Sequence, residues 1–162
     1  MAEEVNPAGI TISCSAAASM MGIAVAVIIF IASFWKDQPL TLSILLLYAF
    51  YVLAIIFFLF ATEFFNLASW SKDFSHLSDT IGSVLYGLGL GWIILGLSMT
   101  FKVLVQSSFL ALLTLALYLI GFVVYYVVRW RLTKEPYYKE RIIARAFIFI
   151  QIFAGFFSLV YL

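Results

Sequence analysis

Five long apolar runs divide the chain, separated by short polar stretches, at about 15–35, 40–65, 79–101, 103–128 and 144–162. Each approaches or exceeds the ~20 residues that a helix needs to cross a hydrocarbon core of about 30 Å. The pattern predicts an all-α fold. Its form is a polytopic integral membrane bundle of about five transmembrane helices in one domain over 1–162, plus one short interfacial helix.

The breaks between runs have their own chemistry. Lys36-Asp37-Gln38-Pro39 ends the first run, and Pro39 suits the first turn of the second, where its missing N–H costs nothing. Lys102 marks a very short turn between the third and fourth runs. Between the second and third, Leu67, Trp70, Phe74 and Leu77 recur at steps of three and four, with Ser71, Lys72, Asp73 and Ser75 among them. That spacing predicts a short amphipathic helix over 66–78 on the membrane surface, with Trp70 at headgroup level. Ser78 is then expected to cap the third helix, and Asp79 to complement its dipole.

Composition narrows the class without changing it. The chain is 65% hydrophobic and only 10% charged, and it carries 17 Phe, 9 Tyr and 4 Trp. Soluble domains carry about 25% charged residues, too many more for this chain to join them. The start Met1-Ala2-Glu3-Glu4 is acidic where a secretory leader is basic, so the first run is expected to be a retained helix. The last run reaches Leu162 without a polar tail, which favours packing of that end against neighbours.

The net charge of +1 hides an uneven distribution. Six of the nine basic residues, Arg129, Arg131, Lys134, Lys139, Arg141 and Arg145, lie between the fourth and fifth runs. The positive-inside rule places that segment, the N-terminus and Lys72 in the cytoplasm, and Lys36, Lys102 and the C-terminus opposite. Together with Trp130, these basic residues are candidates for contact with anionic lipid or a partner protein. Nucleic acid is not an expected partner, because the remaining basic residues stand singly.

Glycine marks the candidate packing faces. Gly82, Gly89 and Gly96 repeat every seven residues, Gly87 and Gly91 form a small-xxx-small pair, and Gly121 continues a small-residue seam in the fourth run. Bare backbone allows the close approach that drives helix association in lipid. Since the second run has no glycine, helices one, three and four are expected at the centre, with helix two facing lipid.

Candidate chemistry is sparse. Glu63, Asp73, His76 and Asp79 gather near one membrane edge and form the one polar cluster that a metal or a proton relay would use, although a solvated loop is the plainer reading. His76 is the only histidine, Met99 lies about 20 residues or roughly 30 Å further along the third helix, and the nearer Met20 and Met21 read as packing residues, which argues against intrachain haem ligation. Cys14 stands alone, so no disulfide or cysteine metal cage forms within the chain. Gln151, about two turns into the fifth run, is expected to bond another helix, whereas Gln106 is expected near the outer end of the fourth.

No catalytic motif, cofactor motif or metal site is expected. The leading expectation is a non-catalytic structural or accessory subunit of a larger membrane complex, respiratory or otherwise energy-transducing, in contact with membrane lipids and other integral membrane subunits. The alternative is a small oligomeric transporter or channel whose Gly-rich third helix lines the path, with Gly89 and Gly91 facing a cavity.

Overall fold

The computed structural model of the protein describes residues 7–36, 39–70, 75–132, 149–151, 153 and 155–157. Four long helices account for most of them: α1 (Pro7–Phe34), α2 (Leu42–Trp70), α3 (Ser75–Val103) and α4 (Ser108–Leu132). The described residues from 149 to 157 are helical as well and form a fifth segment, and there is no strand among the described residues. Among the described residues three helices, α1 to α3, are long and apolar enough to cross a membrane, where five spans are expected from the sequence. α4 is 25 residues long, and its stretch Ser108–Gly121 is apolar as well.

Local chemistry sets the helix ends. Pro7 opens α1, where its fixed φ is already helical. Thr41, not Pro39, precedes α2 directly, and its Oγ1 accepts the Ile44 N–H at 3.4 Å, so the proline lies outside the first turn. The α3–α4 turn falls after Lys102. α3 continues to Val103, Gln106 takes a left-handed φ of 53°, and the Ser107 N–H donates to the Phe101 carbonyl at 3.1 Å. Ser107 Oγ then accepts the Leu110 N–H at 3.3 Å and caps α4. Gln106 therefore belongs to the turn and not to a span.

No separate surface helix occupies 66–78. Residues 66–70 complete α2 and residues 75–78 begin α3, while 71–74, with Phe74 and Asp73, lie outside the described residues. The packing explains the extension: Phe65 and Ala68 are buried and carry the α2 interface to its end. Leu67, Trp70 and Leu77, expected on one apolar face, are 50%, 85% and 54% exposed. Ser78 is no cap. It is buried one turn inside α3, and Asp79 accordingly falls beyond the first turn.

The larger correction concerns α2, which lies between α1 and α3 and does not face lipid alone. Its largest interface is with α3 and the next with α1, whereas α1 meets α3 only at an edge and α4 packs on α3. Its buried residues Ile44, Leu47, Tyr51, Ala54, Phe58, Ala61, Phe65 and Ala68 follow one another at alternating steps of three and four, a seam of the coiled-coil kind. Ile10 and Ala17 of α1 share one buried cluster with Ala54, Ala61 and Ala68. Ala24 and Ile31 share the other with Leu47, Leu95 and, on α4, Ala111 and Leu115.

Candidate functional site

The α2–α3 interface is a stack of rings on glycines. A Cβ at Gly82, Gly89 or Gly96 would come within 2.8 Å of the ring of Phe65, Phe58 or Tyr51 respectively, closer than such atoms approach. Both sets repeat every seven residues and run in opposite directions, as antiparallel helices require. The last pair is also tied by a polar relay. Thr100 Oγ1 donates to the Gly96 carbonyl at 2.8 Å, which leaves the Tyr51 hydroxyl as donor to Thr100 Oγ1 at 3.1 Å. Further along, the Trp92 indole stacks on Phe50 with centroids 5.4 Å apart.

The opposite face of α3 is built from polar side chains on bare backbone. Ser98 Oγ donates to the Ala111 carbonyl of α4 at 2.6 Å. Gln151 of the fifth segment is 5% exposed, and its Nε2 donates to the Leu88 carbonyl at 3.1 Å. This is the interhelical bond expected of that amide. Its Oε1 is buried and has no hydrogen-bond partner among the described residues. A Cβ at Gly91 would stand 2.5 Å from that oxygen and 3.2 Å from the Tyr118 hydroxyl, so both oxygens look onto one bare patch of α3. Gly155 sits against the Leu95 side chain one turn further along.

The remaining candidate residues are dispersed. Among the described residues, Cβ atoms at Gly87 and Gly121 would meet no atom within 4 Å. Glu63 is exposed on α2, His76 exposed and Asp79 half-buried on α3, and Asp73 lies outside the described residues. Among the described residues no three His, Cys, Asp or Glu side chains come together as a metal site would need. Arg129, Trp130 and Arg131 belong to the last turns of α4, whereas Lys134, Lys139, Arg141 and Arg145 lie outside the described residues.

Sequence reasoning passed over Tyr51, Phe58 and Phe65 because bulky apolar side chains suit lipid as well as a helix seam. The signal was available: their seven-residue spacing is the mirror of the glycine spacing on α3.

No family model, curated protein or solved structure matches this chain. The functional reading therefore rests on its own geometry.

Proposed function

We propose that the protein is a non-catalytic structural subunit of a larger membrane assembly, with its N-terminus cytoplasmic and its surface in contact with lipids and other integral subunits. The observation that carries this reading is the ring-on-glycine stack of α2 on α3. Gly89, which a broken-helix transporter would turn to a cavity, is occupied by the Phe58 ring, and Gly82 and Gly96 on the same face are occupied by Phe65 and Tyr51. The polar groups described within the bundle are spent largely on ties between helices or on their own backbone, as for Ser19, Ser33 and Thr114. Such a chain supplies shape and anchoring, and the energy-transducing chemistry belongs to its neighbours.

Purification of the tagged chain from its own membrane in mild detergent, with mass spectrometry and native sizing, tests the proposal. Stoichiometric larger membrane proteins in the same particle are expected. A lone chain or a pure homo-oligomer would overturn the subunit reading.

One observation favours the transporter alternative: Gln151 and Tyr118 turn oxygens toward Gly91. That reading predicts solute flux in vesicles holding the purified chain alone, and flux lost on Gln151→Leu.

A further inference from the structure

The face of α2 turned away from α1 and α3 carries a carboxylate in the middle of an apolar stripe. Ile56, Leu59, Phe60, Leu67 and Trp70 are exposed there, and Glu63 shares their side of the helix. Phe60 and Leu67 flank Glu63 by about one turn on either side. The carboxylate is exposed as well and has no partner among the described residues.

Two markers give its depth. Phe58 lies on Gly89 and Tyr51 on Gly96, and six residues further along this register Leu45 falls level with Lys102. Glu63 is then eighteen residues, about 27 Å, from the lysine level, short of a hydrocarbon thickness of roughly 30 Å. Any tilt of the bundle shortens that distance and moves the carboxylate further in. From the other end, Trp70 lies seven residues or about 10 Å past Glu63, and indole settles at headgroup level. Both markers put Glu63 on the lipid-facing surface just inside the hydrocarbon boundary. An ionised carboxylate there is costly unless a cation meets it. Lipid ammonium groups belong to the headgroup level, nearer Trp70. Lys36 and Lys102 close the opposite end of the helices, and Arg129 and Arg131 belong to α4, which packs on α3 and not on α2. A cation at the depth of Glu63 is best carried there by another transmembrane helix.

We propose that the α2 face centred on Glu63 docks a transmembrane helix of another subunit, whose lysine or arginine pairs with Glu63 and whose apolar residues cover Phe60 and Leu67. This inference rests on the subunit reading and names the contact through which the chain joins its assembly.

The test is photocrosslinking in the native membrane, with benzoylphenylalanine placed at position 60 or 67 of the tagged, full-length chain. Both positions are expected to crosslink one partner helix, within about two turns of a lysine or arginine. Glu63→Gln should lower the partner retained per tagged chain roughly tenfold, the ratio one charge-assisted hydrogen bond supplies. Glu63→Lys should abolish retention, and exchanging the partner's cation for Glu should restore it. Since Glu63 is exposed, both variants should melt with the wild-type chain in detergent, and the crosslinks are read without altering Glu63 at all. Crosslinks only to lipid, within the chain or to a second copy would overturn the proposal, as would wild-type retention of the partner by Glu63→Lys. In those cases co-purifying partners would leave the subunit reading standing, whereas a particle with no partner would overturn both.

Discussion

The two faces of α3 solve the same problem in opposite ways. Toward α2, glycines admit rings, and the interface is close-packed carbon with one hydroxyl relay at Tyr51 and Thr100 and one buried indole N–H, that of Trp92, unpartnered among the described residues. Toward α4 and the fifth segment, glycine at 91 admits an amide, and contact is made through Ser98, Gln151 and backbone carbonyls. In lipid the apolar drive that holds soluble cores together is nearly absent, so shape and hydrogen bonds must do its work. The ring face relies on shape and tolerates little change. The amide face relies on a few directional bonds, each of modest strength, and leaves one acceptor unmatched among the described residues.

Four substitutions measure that contrast, each read as a change in unfolding free energy of the purified chain in detergent. Phe58→Ala empties the middle of the stack and should cost most, about 3 kcal/mol, because the cavity term survives even where transfer to lipid contributes nothing. A loss under about 1 kcal/mol would mean that the ring is not a knob. Gly89→Ala drives a methyl into the same ring and should cost about 1–3 kcal/mol, with part of the loss recovered when Phe58 is shortened to Leu in the same chain. Without that recovery, the two residues do not share a contact. Tyr51→Phe keeps the ring but removes the relay to Thr100, and about 0.6 kcal/mol is expected, as for membrane hydrogen bonds generally. Gly87→Ala should be neutral or stabilising by up to about 1 kcal/mol, since helix propensity improves and nothing is touched. Opposite signs at positions 87 and 89 would separate the open face from the filled one most sharply.

Much of the architecture was legible from apolar run length alone, because the hydrocarbon thickness dictates how long a crossing helix must be. The glycine period on the third run was equally open to reading. Two things were not. Runs of Leu, Ile and Phe on α2 look the same whether they face lipid or a neighbouring helix, so its place between α1 and α3 needed coordinates. At 66–78, spacings of three and four describe any helix, and a surface helix cannot be told by period from the ends of two long ones. On the amide face, the sequence predicts Gln151 as an interhelical amide. Its unmatched oxygen and its meeting with Tyr118 over Gly91 depend on the register of α3 against α4 and the fifth segment, which no local pattern encodes.

The seven-residue repeat of the stack carries an ambiguity of its own. Sliding α3 by one repeat, about 10 Å along its axis, would still offer two of the three rings a glycine, so the pattern alone does not choose its own alignment. Slid one way, Tyr51 would meet Val103 in place of Gly96; slid the other, Phe65 would meet Ser75 in place of Gly82. Only four residues separate Trp70 from Ser75, a reach of roughly 17 Å when fully extended, and a slide of about 10 Å between neighbouring helices would use most of it. The short connection acts as the zero mark of a ruler whose graduations are otherwise identical. Lengthening it by a flexible repeat should therefore yield a mixture of alignments before it yields an unfolded chain.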